Sequence, residues 1–112
     1  MKNKAIRVIT TLFAIILTAK LGTIEYNGHT ETWYNLPMGK VVERAVANGY
    51  DNDYWERADG CKMISHYIIC AGARSRYGEI VQTSRGEGII LDAVAIETEQ
   101  KNPLLIDLAV TW

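Results

Sequence analysis

The sequence predicts a mainly β fold, a small closed barrel of about six strands with one α-helix packed against it. Several short runs of β-branched and aromatic residues are separated by turn residues. Only residues 38–48 place apolar side chains at helical spacing. A chain of 112 residues with 48% apolar and 22% charged residues is typical of one globular domain with one core.

The first segment has the layout of a secretory signal peptide. A basic start, MKNKAIR, precedes a run of twelve mostly apolar residues, VITTLFAIILTA. Twelve residues rise about 18 Å as a helix, less than the roughly 30 Å of a bilayer core. We expect residues 1–20 to be a signal peptide or an N-terminal membrane tether, and residues 21–112 to form the domain. A buried N-terminal helix is the alternative.

The charge distribution argues against nucleic acid as the partner. Lys2, Lys4 and Arg7 belong to the first segment, so residues 20–112 hold nine of the 12 basic residues and all 13 acidic ones, a net charge of −4. Phosphate binding needs clustered Lys and Arg side chains, and the sequence contains no such cluster.

The first predicted hairpin carries candidate sugar-binding residues. Residues 21–26 form its first strand, Asn27 and Gly28 its turn, and the run HTETWYNLP its second strand, which Pro37 ends. Glu31 has the same parity as Trp33, so the two share one face, and Tyr34 follows them in the same run. An acid beside aromatic residues could line a sugar-binding groove or belong to an ordinary surface.

The predicted helix at residues 38–48 is followed by a turn-rich segment. Gly49 is placed to end the helix, and residues 50–63 are polar and aromatic. Asp51 and Asp53 alternate as in a calcium loop, but the glycine and glutamate of that motif are missing. Trp55, predicted to lie in a loop, is either a sugar-stacking platform or a lid over the core.

Two acids lie in strands that are otherwise apolar. Residues 65–72 predict a buried strand and residues 73–77 a basic loop. Residues 78–92, GEIVQTSRGEGIILD, predict a hairpin with its turn at the glycines 86 and 88 and with Asp92 at its end. After a polar connection at 93–102, the last predicted strand holds Asp107 between apolar neighbours. A buried carboxylate is costly unless it is paired or used, so both acids are candidate working residues.

Cys61 and Cys70 leave two possibilities open. An exported chain would allow a disulfide between them, whereas Cys70 in the apolar run YIICAG equally suits a small buried free thiol. The spacing of these cysteines from His29 and His66 does not match a zinc site, so we expect no metal.

The runs ETWYNLPMGKVV, YWERADGCKM, YIICAG, GEIVQTSRGEGIILD and NPLLIDLAVTW resemble a known family. They are similar to the small secreted double-psi β-barrel domains of Gram-positive bacteria and their phages, the 3D (Asp-Asp-Asp) and stationary-phase-survival group. That barrel is similar to the one in membrane-bound lytic transglycosylase A. The resemblance covers nearly all of residues 21–112.

Two family aspartates have counterparts in this chain. Asp92 matches the aspartate that opens an Asp-Thr-Gly-Gly motif, although residues 93–95 are Ala-Val-Ala here. Asp107 matches the later aspartate in an Ile-Asp-hydrophobic stretch. A third family aspartate has no counterpart.

The resemblance implies a closed double-psi β-barrel that cleaves peptidoglycan glycan strands without a cofactor. Asp107 is then the acid/base catalyst and Asp92 the acid that raises its pKa. Glu31, Trp33, Tyr34 and Trp55 are the expected substrate contacts. The expected location is secreted or cell-wall associated, and the membrane is contacted only through the N-terminal segment. A non-catalytic glycan-binding module and a purely structural barrel are the alternatives.

Overall fold

The computed structural model describes residues 13–15, 17–19 and 22–112 and confirms a mainly β fold with the predicted helix. The strands are β1 (Phe13–Ile15), β2 (Leu17–Ala19), β3 (Ile24–Tyr26), β4 (His29–Tyr34), β5 (Tyr54–Glu56), β6 (Lys62–Ile64), β7 (Tyr67–Gly72), β8 (Ile80–Thr83), β9 (Gly86–Ala93) and β10 (Ile106–Ala109). The helices are α1 (Gly39–Ala47) and the shorter α2 (Ile96–Lys101). A single 3-10 turn, Arg74–Arg76, replaces the predicted basic loop.

The main sheet curls into a half-barrel of eight strands. Its order is β3-β4-β10-β7-β9-β8, and β6 pairs with β7 and carries β5. β9 runs parallel to β7, and β10 runs parallel to β4, while the other pairs are antiparallel. β1 and β2 pair only with each other, in a separate two-stranded sheet.

Local turn chemistry explains the parts that were predicted well. Asn27 and Gly28 have φ angles of 51° and 86°, as a tight two-residue hairpin turn requires, and they join β3 to β4. α1 buries Val41 and Ala45 on one stripe. Gly49, with φ of 98°, follows the last turn of α1 in the left-handed conformation that ends many helices.

The second hairpin is present, but its turn is not at the predicted glycines. The turn residues are Ser84 and Arg85, and both glycines lie inside β9. At Gly88 a Cβ atom would lie 2.7 Å from Cys70 Sγ on β7. The glycine is needed for close packing of two parallel strands and not for a turn.

Two segments predicted as loops contain regular structure. The turn-rich segment 50–63 forms β5 and most of β6, which pair from Tyr54 with Ile64 to Glu56 with Lys62. The polar connection 93–102 contains α2. β5 and α2 bury no residue, so hydrophobic periodicity gave no signal for either element.

The core has two parts, one on each face of the sheet. The outer cluster packs under α1 and consists of Met38, Val41, Ala45, Ile64, Ile69, Ile89, Leu91 and Ala109. The inner cluster consists of Cys61, Met63, Ile68, Cys70, Val81, Ile90, Ile106, Leu108 and Val110. Because the inner cluster draws almost entirely on strands of the sheet itself, the curl of the sheet buries this second face.

The two cysteines are free thiols. Cys61 and Cys70 are both fully buried, and both belong to the inner cluster. The disulfide alternative is therefore wrong for this structure. Cys70 acts as a small buried side chain, whereas Cys61 Sγ also lies 3.5 Å from both Asp59 Oδ2 and Arg57 Nη2. Burial raises the pKa of each thiol.

The expected signal or tether, residues 1–20, lies largely outside the described residues. Within it the structure describes only the two short strands β1 and β2. Among the described residues, no helix is both long enough and apolar enough to cross a membrane.

Glu31 joins the two ends of the curled sheet. Its side chain is 0% exposed, on β4 near one edge. The backbone N–H of Ser84 donates to Glu31 Oε2 at 2.9 Å, and Ser84 Oγ donates to Oε1 at 2.6 Å. His29 Nε2 lies 2.9 Å from Oε2. Ser84 follows β8, the other edge strand, so one buried carboxylate bridges the gap of the half-barrel.

We expect Glu31→Ala to lower the free energy of unfolding by about 2–4 kcal/mol, because it leaves the donors of Ser84 unpaired beside a new cavity. The matched control is Glu25→Ala, since Glu25 also accepts a hydrogen bond, from Thr30 at 2.6 Å, but on the surface. Urea unfolding of the three proteins is the measurement. Equal losses in the two variants would contradict the bridging role of Glu31.

Candidate active site

A pocket of about 510 Å³ opens at the outer face of the sheet, beside the outer cluster. Strands β4, β7, β9 and β10 form its floor, and the segments after β4 and β9 and before β10 form its walls. The lining residues are Thr32, Tyr34, Leu36, Ala71, Asp92, Ala93, Val94, Ala95, Thr98, Leu105 and Asp107.

The pairing register places four side chains in one row across the pocket floor. Ala71 on β7 pairs with Asp92 on one side and with Asp107 on the other. Asp107 in turn pairs with Thr32. Directly paired residues point to the same face of a sheet, so the order across the floor is Asp92, Ala71, Asp107, Thr32.

A β-bulge brings Asp92 into this row. Ile90 pairs with Cys70, and Asp92 pairs with Ala71, the next residue, so Leu91 is the extra residue on β9. Regular alternation would have put Asp92 on the face of Ile90, within the inner cluster. The bulge turns its carboxylate to the outer face instead.

β4 supplies a hydroxyl donor to each acid. Thr32 Oγ1 donates to Asp107 Oδ1 at 2.8 Å, and Tyr34 Oη donates to Asp92 Oδ2 at 2.9 Å. The backbone N–H of Ala93 donates to Asp92 Oδ1, also at 2.9 Å. Thr32 and Tyr34 are two residues apart on a strand, so both face the pocket.

The surroundings favour a protonated Asp107 near neutral pH. The pKa of Asp107 is raised to about 7, and burial is the main cause. The hydrogen bond from Thr32 opposes this rise, and the negative charge of Asp92 adds a smaller rise. Burial and the Asp92 carboxylate also raise the pKa of Tyr34, which keeps its phenol protonated as a donor.

Three of the predicted site residues meet in this pocket, and three do not. Asp92, Asp107 and Tyr34 line it together. Glu31 and Trp33 do share a face, as predicted, but it is the inner face, where Glu31 bridges the sheet edges and Trp33 packs on the inner cluster.

Trp55 lies on β5 and not in a loop. Its side chain is 44% exposed, so it is not a lid over the core. The indole Nε1 donates to Ser65 O at 2.7 Å and holds the ring against the neighbouring turn. Trp55 does not line the pocket with the two acids.

Thr32 is the site residue that the sequence analysis missed. Its parity with Tyr34 was visible in the sequence, because the two residues alternate with Glu31 and Trp33. The sequence does not say which of these two faces carries the pocket. The pairing of Thr32 with Asp107, 75 residues later, appears only in the folded sheet.

Among the described residues, no Lys or Arg side chain lines the pocket. Its charge is therefore set by the two carboxyl groups. Within the described part of the chain, no group of three or more His, Cys, Asp or Glu side chains is arranged to hold a metal ion.

A scan against protein-family models found no match to this chain. Searches of curated proteins and of solved structures found none either.

We expect the stability of the protein to fall with rising pH because of Asp107. Its folded-state pKa of about 7 exceeds the usual 3.8, so the folded protein holds this proton more tightly than the unfolded chain does. The resulting stability is complete below about pH 4 and is lost as the pH rises to about 7, at up to about 1.4 kcal/mol per pH unit.

Asp107→Asn removes this titration, so the unfolding free energy of the variant should fall less than that of wild type between about pH 4 and about pH 7. Urea unfolding between pH 4 and pH 8 measures the difference. Asp51→Asn, which changes an exposed aspartate away from the pocket, is the control and should follow the wild-type curve. Parallel curves for wild type and Asp107→Asn would contradict the raised pKa.

Proposed function

We propose that this protein cleaves peptidoglycan glycan strands in the manner of a lytic transglycosylase, with Asp107 as acid and then base. The observation that carries the proposal is the pocket floor, where Asp107, with a pKa raised to about 7, and a second acid, Asp92, lie on either side of Ala71 on the intervening strand β7. The resemblance of the segments around Asp92 and Asp107 to family motifs supplies the substrate class.

The proposed reaction needs one group that first gives and then takes a proton. Protonated Asp107 donates its proton to the glycosidic oxygen, and the bond from this oxygen to the anomeric carbon breaks. A hydroxyl of the same sugar then attacks the anomeric carbon and closes an anhydro ring. Asp107 accepts the proton of that hydroxyl and regains its starting state. No external water is consumed, so one catalytic carboxyl suffices.

Asp92 is held by hydrogen bonds and not by an ion pair. It accepts hydrogen bonds from Tyr34 and from the N–H of Ala93, and none of the ion pairs among the described residues involves it. A negative charge at this position stabilises the positive charge that develops at the anomeric carbon. An Asp92 neutralised by an arginine would instead have favoured a structural or a binding role.

The double-psi barrel is the fold that we assign to this chain within the same proposal. One curled sheet contains two parallel pairs of strands, β7 with β9 and β4 with β10. Glu31 and Ser84 link its two edge regions by side-chain hydrogen bonds. These features support a barrel whose closure is completed partly by side chains.

A non-catalytic glycan-binding module is the second candidate function. Such modules hold sugars largely by stacking them on exposed aromatic rings. Within the described part of the chain, Tyr34 is the one aromatic residue that lines the pocket, and its hydroxyl donates a hydrogen bond to Asp92. Trp33 and Trp55 lie elsewhere. The pocket is thus better suited to acid–base chemistry than to stacking.

Export belongs to the same proposal, because the substrate lies outside the cytoplasm. It rests on the basic start and the short apolar run of residues 1–19. We expect the secreted or wall-bound protein to lack these residues, or to be tethered by them. Mass spectrometry of the protein from the culture medium tests this, and an intact Met1 start in the soluble fraction would count against cleavage.

Asp107→Asn is expected to reduce turnover of purified glycan strands by about 100-fold or more, because the amide neither donates an acidic proton nor acts as a base. The measurement is the release of anhydro-ended sugars by mass spectrometry, with circular dichroism to verify the fold. Asp51→Asn is again the control and should keep wild-type activity.

Near-wild-type turnover by folded Asp107→Asn would rule out the proposed role of Asp107. A wild-type protein that binds the strands but releases no anhydro product would favour the binding-module function instead.

A further inference from the structure

The two acids of the pocket differ in how their oxygens are engaged. Both oxygens of Asp92 accept a hydrogen bond, from Tyr34 and from Ala93. At Asp107 only Oδ1 accepts one, from Thr32 at 2.8 Å. Among the described residues, none donates to Asp107 Oδ2. This asymmetry distinguishes the two oxygens of Asp107 before any substrate binds.

An oxygen that already accepts a hydrogen bond is the poorer site for the acidic proton. The hydroxyl of Thr32 places its hydrogen against a lone pair of Oδ1, so the acidic proton of neutral Asp107 is directed to Oδ2. The same bond limits rotation of the carboxyl plane about χ2, which is otherwise broad for aspartate. The proton is thereby held at one atom and in one direction.

We propose that Thr32 is a positioning residue for acid–base chemistry at Asp107, fixing Oδ1 as the hydrogen-bonded oxygen and leaving Oδ2 to transfer the proton. This inference rests on the proposed function and assigns a role to a residue that the sequence analysis did not single out. Thr32 acts through Asp107 and does not itself exchange a proton with substrate.

The other titratable groups near Asp107 are few. Asp92 contributes from β9 and Tyr34 from β4, while β7 contributes Ala71 on the pocket face. The Cys70 thiol on the opposite face of β7 has a pKa raised mainly by burial, and Asp107 adds to that rise. A change in the titration of Asp107 on removing the Thr32 hydroxyl can therefore be assigned to that hydrogen bond.

Thr32→Val tests the inference because valine keeps the branched shape but lacks the hydroxyl. The bond stabilises the charged form of Asp107, so its loss should raise the pKa of Asp107 by about one pH unit. Carboxyl ¹³C NMR titration measures this without substrate. In the activity assay, the pH above which activity falls should rise by the same amount. The value of kcat should fall with little change in KM.

Thr32→Ser should restore the wild-type titration and pH profile, because it keeps the hydroxyl. Thr30→Val is the matched control: Thr30 lies on the same strand and donates to the Glu25 carboxylate, outside the pocket lining. It should leave Asp107 unchanged. If Thr32→Val does not fold, Thr32→Ala removes the same hydroxyl without the second methyl group.

An Asp107 titration in folded Thr32→Val equal to that of wild type would overturn the inference, as would a Thr32→Ser protein that behaves like Thr32→Val. Failure of the proposed function is seen separately, as turnover that survives Asp107→Asn. In that case a shifted carboxyl titration in Thr32→Val would establish the Thr32–Asp107 coupling but remove its role in catalysis, which also overturns the inference.

Discussion

The position of Ala71 is the constraint on which the pocket depends. This residue lies between Asp92 and Asp107 in the sheet, and its small side chain leaves the space above it open. Two strand spacings separate the backbones of the two acids by roughly 10 Å. The acids therefore share a pocket while their mutual repulsion stays weak. This agrees with the causes of the raised pKa of Asp107, where burial outweighs the charge of Asp92. The pKa of Asp107 is therefore raised mainly by burial and not by a second carboxylate at close range.

The residues on one face of β4 stabilise the curled sheet, and the residues on its other face contact the two acids of the pocket. Its odd-numbered residues face inward, where Glu31 ties the edges of the sheet and Trp33 packs against the core. Its even-numbered residues, Thr32 and Tyr34, face the acids. One strand therefore holds the curled sheet together and orients both carboxyl groups. The parallel pairing of β4 with β10 sets Thr32 directly beside Asp107.

Local signals in the sequence located the first hairpin and α1, but they missed β5 and α2 and did not identify which face of each strand is buried. The turn at Asn27 and Gly28 and the helix over 38–48 follow from rules that act over a few residues. The parity of Glu31 and Trp33 was predicted correctly, but parity alone does not say which face of a strand is buried. The bulge at Leu91 depends on pairing with β7, twenty residues earlier, so no local pattern reveals that Asp92 turns to the outer face. Asp107 and Asp92 were found because an acid in an apolar strand is costly whatever its register.

The chain departs from the family motif at residues 93–95, yet the donors around Asp92 do not require that motif. Any non-proline residue at 93 presents a backbone N–H, and here that group bonds Asp92 Oδ1. Tyr34 supplies the second donor from β4. The N–H of Val94 bonds Gly72 O and its side chain is buried, which anchors the segment leading to α2. The Ala-Val-Ala segment therefore acts as an apolar pocket wall. This wall lines the same pocket as Asp107, and burial is the main cause of the raised pKa of that acid.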